Sequence, residues 1–386
     1  MFRPHLKKLK AYSLEKADYK AKLNQNESPY DLPEDLKEKI LEELRKTSWN
    51  RYPSPWADPL CKKIAEKEGW DPEGVLASAG SNRLIHFLVQ ATSLKGRVLT
   101  ISPSFSLYRA EASLVESKAI KFPLNPDDFS LPLEKFLRVF KRARPDITFL
   151  ANPNAPTGNL FPQEDLLEIV KLGKRLGRIV VVDEAYYQFA KQTLKGSLKK
   201  YPNLVLLRTF SKAFSLGGVR LGILLANPKV VAEVKKVMPP FMINHFQQAV
   251  GSVVLESDSF VEEVVQRTLQ ERGRVRQRLQ ELPGVYPYPS DTNFILFKLP
   301  RSRQVFHHLL SNGILVRPMT FEGLPDNSLR LNHVTDGIYQ GSWISWDLIN
   351  GKMTQRAHLC HCICLQFDGT TIGILPIVIG GTISTT

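Results

Sequence analysis

Acidic residues are scarce: 38 Asp and Glu stand against 52 Lys and Arg, a formal charge of +14 over 386 residues. Such an excess suits an anionic ligand, an acidic surface or nucleic acid. The bases are scattered, however. Their densest stretch, Arg272 to Arg278, alternates with Gly, Val and Gln and reads as a solvated helix face, so no nucleic-acid partner is expected. Long apolar runs are missing too. No stretch reaches the roughly 18 residues a membrane span needs, and the late segment 371–380 is broken by Gly and Pro. No membrane partner is expected. The start, Met1-Phe2-Arg3-Pro4-His5, lacks the apolar stretch of a secretory signal, which leaves the cytoplasm as the expected location. Four cysteines are too few for a disulfide framework in a chain this long. Also absent are the dinucleotide motif GxGxxG, the phosphate loop GxxxxGK[ST] and the hydrolase elbow GxSxG.

What is present reads as folded. Hydrophobic residues make up 43% and charged residues 23%, which excludes wholesale disorder. The length suits two domains or one large α/β domain with an appendage. Arg97–Ile101, Asp146–Ala151, Arg178–Val182 and Leu204–Thr209 read as short buried strands, nearly continuous in apolar residues and rich in β-branched ones. Between them lie amphipathic stretches such as Gln163–Leu176, which Pro162 opens. Strand and helix in alternation predict a three-layer, doubly wound α/β domain with a mostly parallel sheet. After the Pro-rich break at Pro283–Pro289, Asn293–Leu299, Gln304–Asn312 and Ile314–Arg317 read as strand, helix, strand of a smaller α/β domain. The division expected is an N-terminal arm with part of the small domain (1–45), a large domain (46–284), a small domain (285–331) and an atypical tail (332–386).

Three predicted strand ends carry suggestive residues, where open α/β sheets place their ligands. They are Asn152-Pro153-Asn154-Ala155-Pro156-Thr157-Gly158, Asp183-Glu184-Ala185-Tyr186 and Thr209-Phe210-Ser211-Lys212. Singly, each has a bland reading: a solvated lysine, a helix cap, a turn. Together they bring a carboxylate, a lysine and a tyrosine to one place. A desolvated lysine, or one beside other cations, has a lowered pKa and can form a Schiff base. A carboxylate facing a pyridine nitrogen keeps it protonated, which lets pyridoxal phosphate act as an electron sink.

These motifs, followed by Arg220-Leu221-Gly222, resemble in kind and order those of the fold-type-I pyridoxal-phosphate aminotransferases. In detail the chain resembles the histidinol-phosphate aminotransferase family. Leu23-Asn24-Gln25-Asn26-Glu27-Ser28-Pro29, Asn50-Arg51-Tyr52-Pro53, Pro103-Ser104-Phe105-Ser106-Leu107-Tyr108, Gly313-Ile314-Leu315-Val316-Arg317 and Leu329-Arg330-Leu331 carry that likeness. The resemblance implies transfer of an amino group between L-histidinol phosphate and 2-oxoglutarate, in histidine biosynthesis, with pyridoxal 5′-phosphate as cofactor. It implies that Lys212 holds the cofactor and shuttles the proton. Asp183 would pair with the ring nitrogen, Tyr186 with the ring oxygen, and Tyr108 would stack on the ring. Gly80, Ser81, Asn82, Thr209, Ser211 and Arg220 would cradle the phosphate. Tyr52 would reach it from a partner subunit, which implies a homodimer with shared active sites. Arg330 would clamp a carboxylate and Arg317 the substrate phosphate, with Asn26 also at the substrate.

Three positions depart from the family pattern. Ala155 stands where the family has Asn, so Asn154 is expected to substitute or Tyr186 to act alone. Arg83 follows the Gly-Ser-Asn turn in place of an acid and is expected to face solvent. The stretch 332–386 holds five charged residues and shows no helical periodicity, the pattern expected of a frameshifted or alternative C-terminus. Its His358-x-Cys360-His361-Cys362-x-Cys364 lacks two separated Cys pairs, so no metal site is expected. Two rival functions remain open: another enzyme of this fold, such as an aromatic aminotransferase or threonine-phosphate decarboxylase, and a non-catalytic basic nucleic-acid binder.

Overall fold

In the computed structural model the described residues are 18–332 apart from 321, together with 2, 6, 7 and 11. The tail motif at His358–Cys364 lies outside them. The chain enters through β1 (Ala21–Lys22), α1 (Glu34–Arg45) and α2 (Asp58–Glu68). Strands and helices then alternate: β2 (Val75–Ser78), α3 (Ser81–Thr92), β3 (Arg97–Ser102), α4 (Leu107–Leu114), β4 (Lys118–Pro123), α5 (Leu133–Ala143), β5 (Ile147–Ala151) and α6 (Gln163–Leu176). Next come β6 (Ile179–Asp183), α7 (Tyr187–Ala190), β7 (Leu204–Thr209) and β8 (Gly222–Ala226), then α8 (Pro228–Lys235), α9 (His245–Leu255) and α10 (Asp258–Glu281). The last described elements are β9 (Tyr286–Pro287), β10 (Phe294–Lys298), α11 (Ser302–Ser311), β11 (Ile314–Leu315), β12 (Arg317–Pro318) and β13 (Ser328–Asn332).

The helix α6 shows how directly sequence sets these elements. Pro162 precedes it, Glu164 and Asp165 occupy its first turn, and Lys174 and Arg175 its last. Both charge placements favour the helix dipole, and Gly177 closes the helix at φ 66°, a conformation glycine adopts without a Cβ penalty. The central sheet has seven strands in the order β2-β8-β7-β6-β5-β3-β4. Strands β3 to β7 run parallel, whereas β8 is antiparallel to both its neighbours. Alternate residues of each strand enter opposite apolar layers. Leu150, Val180, Val182 and Leu206 pack on one face, and Phe149, Val181, Val205 and Leu207 on the other. This is the three-layer α/β arrangement expected from the sequence. The edge strand β4 escaped the sequence reading because it is mostly exposed and carries Lys118 and Lys121, as edge strands do.

A second sheet, β12-β13-β10-β9, is antiparallel, and β1 pairs in parallel with β11. The single strand expected at Ile314–Arg317 is therefore two: Ile314–Leu315 bonds to β1 and Arg317–Pro318 to β13. Within residues 1–45, β1 joins the core beside this smaller sheet, while α1 packs on α9. Helix α10 serves both units. Phe260 and Val264 pack against Leu36 of α1, and Val275 and Leu279 pack under the small sheet.

Candidate active site

Parallel pairing sets Ala151, Asp183 and Leu207 side by side at the C-terminal ends of β5, β6 and β7. A cavity of about 320 Å³ opens there, closed on the far side by Arg317, Arg330 and residues 24–26. Asp183 is only 5% exposed. Its Oδ1 accepts from the Ala185 amide at 3.1 Å and its Oδ2 from the Tyr108 hydroxyl at 2.7 Å. Burial pushes its carboxyl up to about 6, with those two donors pulling the other way. The Tyr108 ring lies flat on Phe149, centroids 4.8 Å apart, and burial beside Asp183 raises its hydroxyl well above the ordinary value. Tyr108 thus lines the cavity, but one ring face is already taken and its hydroxyl engages the carboxylate.

Lys212 projects into the same cavity from the loop after β7. Its Nζ donates to the main-chain oxygens of Asn26 at 2.9 Å and Gln25 at 3.2 Å. Burial first, and then the Arg330 charge, bring its amine down to about 7. A lysine poised there can act as nucleophile and as base near neutral pH. Tyr186 packs edge-on against Phe294 and accepts from the Asn26 side-chain amide at 3.0 Å. Asn26 itself sits at φ 54°, a left-handed conformation that asparagine tolerates better than most residues. That geometry lets one residue touch both Lys212 and Tyr186.

An anion cradle lies at the start of α3. Gly80 precedes it at φ 86° with no side-chain cap, so the first amides of the helix stay open. A Cβ on Gly80 would lie 2.8 Å from the Arg220 guanidinium. One on Gly222 would overlap the Ser81 amide nitrogen, so both glycines permit close approach. Ser81, Asn82, Thr209, Ser211 and Arg220 all line the cavity beside this helix end. Arg220 is held by the Ser211 hydroxyl at 3.3 Å and the Gly217 carbonyl at 3.0 Å. Across the cavity, Arg317 and Arg330 are direct partners in the β12–β13 ladder. Like charges placed opposite each other weaken a sheet, and an anion between them offsets that cost.

Two expected residues stand elsewhere. Asn154 is fully buried behind the wall, with its amide committed to Pro103 O, Thr157 and Ser104. It does not line the cavity; Ala155 lines the wall instead. Tyr52 is 83% exposed and leans on Phe241, outside the cavity of its own chain. Arg83 is exposed, as expected. Sequence reasoning missed the carbonyls of Gln25 and Asn26 as partners of Lys212, since every residue has a carbonyl and no side-chain signal marks these two.

Residues 19–337 match the family model for aminotransferase class I and II. The chain belongs to this family. Among curated relatives of this aminotransferase is the histidinol-phosphate aminotransferase of Deinococcus radiodurans, 40% identical over 315 residues, which span 82% of this chain and 87% of the relative. That of Thermococcus kodakarensis is 41% identical over 320 residues, or 83% and 90% of the two chains. The fold matches the histidinol-phosphate aminotransferase of Sinorhizobium meliloti in complex with pyridoxal-5′-phosphate, with a TM-score of 0.78, 23% identity and coverage of 91% and 95%. The residues of this aminotransferase fit pyridoxal phosphate: a buried carboxylate for the ring nitrogen, an amine near pH 7, and an uncapped helix end with Arg220 for the phosphate.

Proposed function

We propose that the enzyme transfers an amino group between L-histidinol phosphate and 2-oxoglutarate, in histidine biosynthesis in the cytoplasm. The observation that carries this reading is the ladder pair Arg317–Arg330 facing Lys212 across the cavity. Both substrates are anions: one carries a phosphate, the other two carboxylates. Among the described residues, four basic side chains, Lys212, Arg220, Arg317 and Arg330, line the cavity with one carboxylate, Asp183. Forked guanidiniums bind phosphate and carboxylate in two-point geometry. The names of the curated relatives support the same substrate.

Bound pyridoxal phosphate supplies an electron sink for the bond broken at the substrate Cα. The chain does the rest. Lys212 holds the cofactor and then moves the Cα proton, Asp183 keeps the ring nitrogen protonated, and Tyr186 donates to the ring oxygen. Arg317 and Arg330 orient the substrate over Lys212. Tyr52 and Phe241, whose ring centroids lie 4.9 Å apart, form an exposed aromatic patch. Such patches mark protein interfaces, and a second copy of the chain is its proposed occupant, bringing Tyr52 to the neighbour's phosphate cradle.

Assay of the purified protein with histidinol phosphate, phenylalanine and O-phosphothreonine side by side tests the reading. A kcat/KM for histidinol phosphate at least about a hundredfold above the others is expected, because a substrate without the phosphate loses a charge-assisted contact in the cavity. Preference for phenylalanine, or release of carbon dioxide from O-phosphothreonine, overturns it. Sedimentation of a monomer at micromolar concentration overturns the shared site.

A further inference from the structure

We propose that Glu184 and Arg208 form a positioning pair that sets cofactor affinity from the side of the sheet away from the cavity. The proposal rests on the reading of the cavity as a pyridoxal-phosphate site. Strand alternation divides the ends of β6 and β7 into two faces. Asp183 and Thr209 line the cavity, whereas Glu184 and Arg208, their direct chain neighbours, do not. The side chains of Glu184 and Arg208 are 2% and 4% exposed. Glu184 accepts from Arg208 Nε at 2.9 Å and pairs with its Nη2 at 2.8 Å. It also accepts from the Leu194 amide at 2.7 Å and the Thr193 hydroxyl at 2.8 Å. Arg208 reaches Glu68 of α2 at 2.7 Å and lies 4.0 Å over the Tyr187 ring.

Stability alone is a poor reason for such a cluster, since a buried ion pair can be replaced by packed apolar residues at little cost. What apolar residues cannot supply is direction. The bonds at Glu184 fix the peptide between it and Asp183, the residue that meets the ring nitrogen. Those at Arg208 fix the peptide leading to Thr209 and on to Lys212. The pair therefore sets the spacing between the carboxylate and the amine of the site. Glu184 also donates its amide to Leu207 O at 2.8 Å, which ties the two strand ends together by main chain.

The test is titration of apo protein with pyridoxal phosphate, with thermal unfolding of the same samples. Glu184→Gln keeps the shape, leaves Arg208 paired with Glu68, and is expected to weaken cofactor binding about tenfold, the loss of one charge-assisted bond. Arg208→Lys keeps the charge but loses the fork and is expected to weaken it as well. Leu36→Ala, in the α1–α10 cluster remote from the cavity, is the control for lowered Tm alone, and its affinity should equal that of wild type. Wild-type cofactor affinity in both Glu184→Gln and Arg208→Lys, whatever their Tm, overturns the proposal. Equal weakening in Leu36→Ala reduces the pair to a structural role and overturns it too. If wild-type protein fails to bind pyridoxal phosphate, the reading of the cavity falls first, and the proposal with it. Should Glu184→Gln not fold, the Arg208→Lys titration decides alone.

Discussion

Lys212 and Arg208 are cations four residues apart on one stretch of chain, and their surroundings treat them in opposite ways. Arg208 meets two carboxylates, which overcome the cost of burial and raise its pKa above the ordinary value. Lys212 meets two main-chain oxygens and the repulsion of Arg330, and its amine falls to about 7. The face that supports the site satisfies its charges from within the protein. The cavity face holds Lys212 through main-chain oxygens and Arg330 through the Asn24 carbonyl and the Phe294 ring, so an anionic ligand would bring further counter-charge there.

The contrast breaks most sharply at Lys212. Lys212→Ala is expected to lower transamination roughly ten-thousand-fold or more, since in the proposed reading one amine would serve as both covalent anchor and base. The separate phosphate cradle should still retain cofactor, seen as an absorbance band that dialysis removes and borohydride no longer fixes to protein. Wild-type turnover in this variant would remove Lys212 from the chemistry.

Asp183→Asn should cost roughly a hundredfold in kcat, yet stabilise the apo protein at neutral pH. The sign follows from the raised carboxyl. A group with a folded pKa of about 6 against an ordinary 3.8 adds stability that is fully present below pH 3.8 and is lost as pH rises through 6. Wild type should therefore be less stable than the Asn variant by about 1–2 kcal/mol at pH 8 and no less stable near pH 3.5, as read by urea unfolding. Equal stability at both pH values would mean that the carboxylate is not strained.

Arg317→Gln carries the comparison to the small sheet. Removing one of two opposed charges should raise KM for the phosphorylated substrate roughly tenfold with kcat little changed. It should also raise stability by a few tenths of a kcal/mol. A loss of stability would show that the pair is neutralised within the protein. The smallest effect is expected from Tyr52→Phe: a few-fold weaker cofactor binding, the worth of one neutral hydrogen bond across a subunit interface. No change in affinity would leave Tyr52 outside the neighbour's site.

Much of the site was legible in the chain because its chemistry demands particular side chains at strand ends. Asp183, Tyr186 and Lys212 were found that way, Arg220 came from the family resemblance, and all four line one cavity. Asn154 suits a cofactor contact on paper; only packing showed that its side chain is bonded to Thr157 in its own loop and to Pro103 and Ser104 in the loop after β3. The Tyr108–Asp183 bond spans 75 positions and depends on α4, packed against β3 and β4, bringing Tyr108 to the end of β6, which no local pattern states.

From the sequence alone came the alternation of strands and helices, the boundaries of α6, the order of the motifs and the resemblance to an aminotransferase family. These rest on local periodicity and on residue types the chemistry cannot replace. Tertiary structure alone decided that β8 runs antiparallel, that the strand at Ile314–Arg317 splits between two sheets, and that Arg317 faces Arg330. It alone lowered the pKa of Lys212 and raised that of Asp183. Pairing partners and desolvation arise from residues far apart in the chain, and the energy that selects them exists only once those residues are packed together.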